Sequence, residues 1–95
     1  MVLLKAAKTY LELDETDKAR EKLRRAVQKN PGYETPFVEL AKLVEPEEAV
    51  TLLLEANTIN PFDPRIHELL TANYRKRGDN ALAEQEEGIF NTLKK

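Results

Sequence analysis

Two stretches of the chain, 30 residues apart, carry the same pattern of small and large apolar residues. Residues 19–31 read AREKLRRAVQKNP, and residues 49–61 read AVTLLLEANTINP. In each stretch a leucine follows the first alanine by four residues, and a second alanine follows that leucine by three. This spacing places the three side chains on one face of an α-helix, and Asn-Pro is a typical helix end. The repetition predicts two similar helices in similar surroundings.

Apolar residues also recur at helical spacing along the rest of the chain, in six segments separated by turn residues. The turns fall at Asp14–Asp17, Asn30–Gly32, Glu45-Pro46, Asn60-Pro61 and Gly78-Asp79. We expect one helix to start with Thr35 as its cap and Pro36 at its first position, and another to start at Asp63-Pro64. No segment alternates as a half-buried strand does. The prediction is an all-α chain whose neighbouring helices pack as three antiparallel hairpins.

The composition excludes several kinds of chemistry. The chain has 95 residues and a net charge of −2, with no cysteine and no serine. Disulfides, cysteine-ligated metals and serine or cysteine nucleophiles are therefore excluded. No apolar run is long enough to span a membrane, so no membrane partner is expected. Absence of cysteine fits a reducing compartment, and we expect a cytoplasmic location unless the chain is a fragment of a longer protein.

The spacing of these residues resembles that of the tetratricopeptide repeat (TPR), a helix–turn–helix unit of 34 residues. In the first third of the chain the unit's small, aromatic, large apolar and proline positions are matched by Ala7, Tyr10, Ala19, Leu23, Ala26 and Pro31. The last third matches with Leu70, Thr71, Tyr74, Gly78, Asp79 and Ala83. The middle third keeps the first-helix spacing, but Ala49 arrives four residues early.

The resemblance implies one domain, residues 1–95, made of three units at about 1–33, 34–63 and 64–95. The middle unit is shorter by about one helical turn. Because one hairpin cannot bury its apolar face alone, the units are expected to stack as a short right-handed α-solenoid.

Proteins similar to this one line up their first helices along a concave groove that holds a peptide of another protein. The groove positions of that family fall here on Leu4, Lys5, Lys8, Leu11, Val38, Glu39, Lys42, Arg65, Glu68, Leu69, Ala72, Arg75 and Lys76. The implied surface is mostly basic, with apolar patches from Leu4, Val38 and Leu69, and suits an acidic or amphipathic peptide. Some relatives hold a C-terminal carboxylate of their partner with paired lysine and asparagine residues. We do not expect this clamp here, because Lys8 stands where the clamp has its first asparagine and Leu4 where it has a lysine. The implied function is protein–protein interaction.

Two other functions remain open. The first alternative is a C-terminal TPR segment of a larger enzyme or secretion-related protein, in which the groove packs on another domain of the same chain. It is favoured because the first helix starts without a capping residue. The second alternative is an RNA-binding helical repeat, because the second helix carries Lys18, Arg20, Lys22, Arg24, Arg25 and Lys29. Nucleic acid is disfavoured, since no aromatic residues are interleaved with these cations for base stacking.

Nothing in the sequence predicts catalysis, a metal or a cofactor. The single histidine, His67, is followed four residues later by Thr71, where a zinc-protease motif needs a second histidine. We expect His67 at a helix interface or on the surface. Carboxylates such as Glu47 and Glu48 stand at a helix start, where negative charge suits the helix dipole. The chain is therefore predicted not to be an enzyme.

The last predicted helix departs from the pattern. Phe90 stands where the two earlier segments have their second alanine, and Glu87 stands where they have leucine. A phenylalanine at that position obstructs a following helix, which predicts the end of the array. Ile89, Phe90 and Leu93 then either close the core against the fifth helix or, if partly exposed, mediate self-association.

Overall fold

The chain folds into six α-helices joined by short turns. The structure, a computed structural model, describes residues 2–94, so the predicted unit ends at Met1 and Lys95 lie outside the described residues. The helices are α1 (Val2–Glu12), α2 (Thr16–Lys29), α3 (Glu34–Ala41), α4 (Pro46–Ile59), α5 (Pro64–Arg77) and α6 (Asn80–Lys94). No strand occurs between residues 2 and 94. The prediction of an all-α chain is confirmed.

Consecutive helices pack as hairpins. The most extensive contacts join α1 to α2, α3 to α4 and α5 to α6, and smaller contacts of α2 with α3 and of α4 with α5 stack these pairs. Helix α3 also touches α5 directly. The stacking gives a body of 35 × 24 × 22 Å. This arrangement is that of a helical repeat solenoid, as the sequence predicts.

Helix starts follow the sequence signals in one place and depart from them in another. Asp63 caps α5, because its side chain accepts a hydrogen bond from the backbone N–H of Arg65 at 3.0 Å. The expected start of the third helix at Thr35-Pro36 is wrong, since α3 begins at Glu34. Pro36 is tolerated there because N–H groups in the first turn have no intrahelical partner to lose.

The repeated small and large residues form the core. None of the six repeated residues has any exposed surface: Ala19, Leu23, Ala26, Ala49, Leu53 and Ala56. One apolar cluster joins α1, α2 and α3, and another runs from α3 to α6. Val27, Val44 and Leu52 pack against both clusters, so the core is continuous from the first hairpin to the last.

A polar contact fastens α6 to the rest of the array. His67 is buried in α5, as the interface hypothesis expects, with Nδ1 2.6 Å from a carboxylate oxygen of Glu86 and Nε2 3.1 Å from the carbonyl oxygen of Pro61. A carbonyl oxygen only accepts, so Nε2 carries a proton. The short contact at Nδ1 needs another proton, on either the ring or the carboxyl group. One side chain thus links α5, α6 and the α4–α5 turn.

The apolar residues of α6 divide between two sides. Phe90 and Leu93 are half-buried, whereas Ile89 and Leu82 are exposed, at 37% and 44% of their surface. Within the described residues, Ala83 is the one fully buried residue of this helix. Phe90 borders a cleft between α5 and α6, and neither it nor Leu93 packs against the two described core clusters, so closure of the core by these residues stays a prediction. Self-association through these residues stays a prediction.

We expect Leu53→Ala to lower the free energy of unfolding by about 2–5 kcal/mol, because it leaves a cavity in a fully buried site. The adjacent Leu54 is 46% exposed, so Leu54→Ala is a matched control with an expected change below about 0.5 kcal/mol. Chemical denaturation followed by circular dichroism measures both. Equal losses in the two variants would contradict the described packing of α4.

The contact between Nδ1 of His67 and Glu86 needs a shared proton, and this gives a second prediction. Gln in place of Glu86 donates an amide hydrogen to Nδ1 of a neutral ring, so Glu86→Gln should keep nearly all of the stability. Glu86→Ala leaves a buried ring nitrogen unpaired and should cost about 1–3 kcal/mol. Thermal unfolding of both variants at neutral pH provides the measurement. A Gln variant as unstable as the Ala variant would contradict the contact.

Candidate protein-binding groove

The residues expected to face the groove lie on α1, α3 and α5, apart from Lys42, which directly follows α3, and they are not equally accessible. Those with exposed side chains are Lys5, Lys8, Lys42, Arg65, Glu68, Ala72, Arg75 and Lys76. Those that are half-buried are Leu11, Glu39 and Leu69. The exposed members include six cations and one acid, so the accessible part of this face is basic.

The apolar patches expected from Leu4 and Val38 are wrong. Leu4 is 8% exposed and packs in the cluster of Leu23 and Leu40, while Val38 has no exposed surface. Helix α3 has only eight residues and touches α2, α4 and α5, so most of its apolar side chains are enclosed. Of these three residues, only Leu69 is half-buried, whereas Leu4 and Val38 are buried.

Arg65 is fixed at the junction of α3 and α5. Its Nη2 lies 2.6 Å from Oδ2 of the buried Asp63 and donates a hydrogen bond to the hydroxyl of Thr35 at 3.2 Å. The hydrogen bonds from Arg65 lower the pKa of Asp63, and the same pairing raises the pKa of Arg65. Asp63, which caps α5, therefore also holds the guanidinium group of Arg65 beside α3.

The other cations of the face fall into two groups. Lys42 pairs with Glu39 at 3.3 Å, and Arg75 forms an ion pair with Glu87 of α6. Three lysines, by contrast, have no carboxylate within 4.0 Å among residues 2–94: Lys5, Lys8 and Lys76. These three remain available to an acidic partner without loss of an internal pair.

A cleft of about 290 Å³ opens between α5 and α6 at the end of the face. Three of its lining residues were expected in the groove: Glu68, Ala72 and Arg75. The other four are Thr71 of α5 and, on α6, Glu87, Phe90 and Asn91. Phe90 and Ala72 give the cleft apolar surface, and the charged side chains surround it. The sequence signalled Phe90 as unusual, but no local pattern indicated that Asn91 and Glu87 share a cleft with α5.

The cations of α2 are partly used inside the fold. Arg24 forms two hydrogen bonds with Glu48 of α4, at 2.5 and 3.2 Å, and Arg20 bonds to Asp17 and to the carbonyl oxygen of Leu43. These arginines hold α2 against the α3–α4 hairpin. They are therefore not free for nucleic-acid phosphates, which weakens the RNA-binding hypothesis.

The part of the chain that the structure describes offers neither a metal-binding cluster nor a membrane-spanning helix. No group of three or more histidine or acidic side chains between residues 2 and 94 is arranged to hold a metal ion. In the same span, no helix combines the length and apolar character needed to cross a membrane.

The pairing of Asp63 predicts a dependence of stability on pH. A carboxyl with a lowered pKa stabilises the fold above the ordinary aspartate value of about 3.9, and this contribution is lost as the pH falls through the lower folded-state value. Asp63→Asn should thus be less stable by about 1–3 kcal/mol at pH 7, with the difference from wild type shrinking below about pH 4.

Denaturant unfolding of wild type and variant across this pH range makes that test. Asp17→Asn, whose side chain is 95% exposed, is the control and should show a difference below about 0.5 kcal/mol at every pH. If the difference in free energy of unfolding between wild type and Asp63→Asn stays constant down to acid pH, the charge of the carboxylate does not contribute to stability.

Comparison with known proteins agrees with this geometry. The family described as Tetratricopeptide repeat matches residues 1–43, the span of α1, α2 and α3. No curated protein matches the chain. Members of this family are protein-interaction modules and are generally non-catalytic. The first 43 residues of the chain are thus similar to a tetratricopeptide repeat, a family that generally supports protein interaction.

Proposed function

We propose that this module binds an acidic or amphipathic segment of another protein along the face formed by α1, α3 and α5. The observation that carries the proposal is the charge of that face, where exposed cations stand on α1, on α5 and at Lys42, the residue that ends α3. Three of these, Lys5, Lys8 and Lys76, have no carboxylate partner among the described residues. Complementary charge gives such a surface both selectivity and fast association.

The cleft between α5 and α6 supports an amphipathic segment rather than a purely acidic one. It adjoins the same face, because Glu68, Ala72 and Arg75 belong to both. An apolar side chain of the partner entering the cleft covers Phe90 and Ala72, and burial of apolar surface in such a pocket is a usual source of binding energy. The proposed partner therefore combines carboxylates with at least one large apolar residue.

The expected site is tested by reversing the three unpaired lysines. Lys5→Glu/Lys8→Glu/Lys76→Glu breaks no ion pair of the described fold, so helicity should be unchanged. Affinity for a labelled peptide that alternates glutamate with leucine should fall at least about tenfold, because the attraction becomes repulsion. Fluorescence anisotropy measures the affinity, and circular dichroism checks the fold.

A matched control changes the net charge equally on another surface. Lys22→Glu/Arg25→Glu/Lys29→Glu alters three cations of α2, and affinity should stay within about twofold of wild type. Equal losses in both variants would mean that net charge, rather than this face, attracts the peptide. No loss in the first variant would reject the groove as the site.

A second experiment addresses the cleft. Phe90→Ala removes its aromatic wall, and we expect the affinity for the glutamate–leucine peptide to fall about fivefold or more, whereas a peptide that alternates glutamate with serine should be unaffected. Anisotropy titrations with the two peptides make the comparison. Equal effects on both peptides would show that the cleft does not receive the leucine.

A further inference from the structure

Helix α6 presents an outer face that carries no charge. The exposed residues of this face are spaced as i, i+1, i+4, i+7, i+8 and i+11, which places them on one side of a helix. They are Ala81, Leu82, Gln85, Gly88, Ile89 and Thr92. The carboxylates of Glu86 and Glu87 are held instead by His67 and Arg75 of α5. In a chain with 34% charged residues, an uncharged face of this length on an exposed helix needs an explanation.

The second helices of the other two hairpins do carry charge at the equivalent outer positions, counted from the fully buried Ala19, Ala49 and Ala83. The central line of the α6 face consists of Ala81, Gln85, Gly88 and Thr92. The corresponding residues of α2 are Asp17, Glu21, Arg24 and Gln28. Those of α4 are Glu47, Thr51, Leu54 and Thr58. Charge at these positions thus falls from three residues on α2 to one on α4 and none on α6.

The fold of residues 2–94 does not itself require a glycine at Gly88. This residue lies inside α6 with an ordinary helical backbone, since Gly78 is the only glycine in that span with a positive φ. A methyl group at Gly88 would come within 4 Å of no other helix among the described residues. Glycine destabilises the interior of a helix relative to alanine, so its presence here has no cause within one copy of the described chain. Close approach of another molecule would supply the cause.

The side chains of this face favour contact with an apolar surface. Leu82 and Ile89 are exposed at 44% and 37% of their surface, and covering them removes apolar surface from water. The hydroxyl of Thr92 donates a hydrogen bond to the carbonyl oxygen of Gly88 at 3.0 Å, so its proton is already used within the helix. Gln85 is the remaining polar side chain of the face.

The face is large on one side and small on the other. Helical geometry places Leu82 and Ile89 along one side, Ala81 and Gly88 along the other, and Gln85 between them. Two such faces fit together when the large side of one lies on the small side of the other. A two-fold axis parallel to α6 achieves this, because it exchanges the two sides without reversing the helix. An axis perpendicular to the helix would place large against large and leave a gap between the small residues.

We propose that two copies of the chain associate through this face, with their α6 helices parallel and side by side. Leu82 then packs on Ala81 of the second copy, Ile89 packs on Gly88 of the second copy, and each contact occurs twice. Gln85 lies on the axis beside Gln85 of the second copy, where the two amides exchange hydrogen bonds. The occupant is a second copy because the face complements itself in size and holds no charge for an acidic or basic partner to recognise.

The association is weak and insensitive to salt. One helix on one helix buries less surface than the about 1,600 Å² of a standard protein interface, so we expect sedimentation equilibrium to show monomers at low concentration and dimers at higher concentration. Because no charges meet across the axis, raising the salt well above the physiological level should change the dissociation constant less than about threefold. A chain that stays monomeric up to roughly millimolar concentration overturns the proposal, and so does a dimer that high salt dissociates.

Cysteine cross-linking tests the direction of the helices, since the chain has no cysteine of its own. In the parallel arrangement Thr92 lies beside Thr92 of the second copy, so Thr92→Cys should form an intermolecular disulfide under mild oxidation at least about tenfold faster than Thr58→Cys, the equivalent change on α4. Gln85→Cys should cross-link as well. Cross-linking of Gln85→Cys without Thr92→Cys would mean antiparallel helices and overturns the parallel arrangement. Equal rates for Thr92→Cys and Thr58→Cys would mean random collision and overturn the interface.

Side-chain size tests the fit between the two faces. Gly88→Leu fills the small side and should weaken the dimer at least about tenfold, although it should raise the thermal unfolding midpoint of the monomer, because leucine favours a helix more than glycine does. Gly88→Leu/Ile89→Ala exchanges the two sides and should return the dissociation constant to within about threefold of wild type. Sedimentation measures the dissociation constants, and circular dichroism follows the unfolding.

A matched control changes the position on α4 that is equivalent to Gly88. Leu54 is exposed there, and Leu54→Asp should leave the dimer unchanged. A dimer that tolerates Gly88→Leu, or one that is lost with Leu54→Asp, overturns the proposal. These variants alter no residue of α1, α3 or α5, so their results do not bear on the proposed groove.

Discussion

Close approach of helices at alanine is the constraint on which the rest of the structure depends. Ala19, Ala26, Ala49 and Ala56 have no exposed surface, and each lies within a turn or so of a fully buried leucine. A larger side chain at these positions would separate the helices, because protein interiors are packed too tightly to absorb it. The stacking of the hairpins, and hence the relative position of every surface residue, follows from these small side chains.

The polar contacts act on a framework that this packing has already set. Asp63 both caps α5 and holds Arg65 beside α3, and His67 links α5 to Glu86 and to the α4–α5 turn. Such buried, hydrogen-bonded side chains restrict how one hairpin is oriented on the next. A binding face assembled from three separate helices needs this restriction, since its cations must keep fixed separations to meet a partner.

Much of the fold could be predicted from the sequence because its signals are local. Helical spacing, the Asn-Pro ends, Asp63-Pro64 and Gly78 lie within a few residues of the features they specify, and five helices start close to the expected places. The third start was misplaced because a proline anywhere in the first turn looks similar in sequence. The exposure of Leu4 and Val38 was misjudged because burial depends on neighbours from other helices.

The sequence by itself determined the helices, the repeated core face and the basic character of α1, α2 and α5, because periodicity and composition are properties of neighbouring residues. Only the tertiary structure decided which charges are free. Arg24 is paired because Glu48, 24 residues away, lies beside it, and Arg75 is paired because α6 folds back on α5. The cleft beside Phe90 exists for the same reason. Contacts between residues far apart in the chain are set by how helices pack, which no local pattern records.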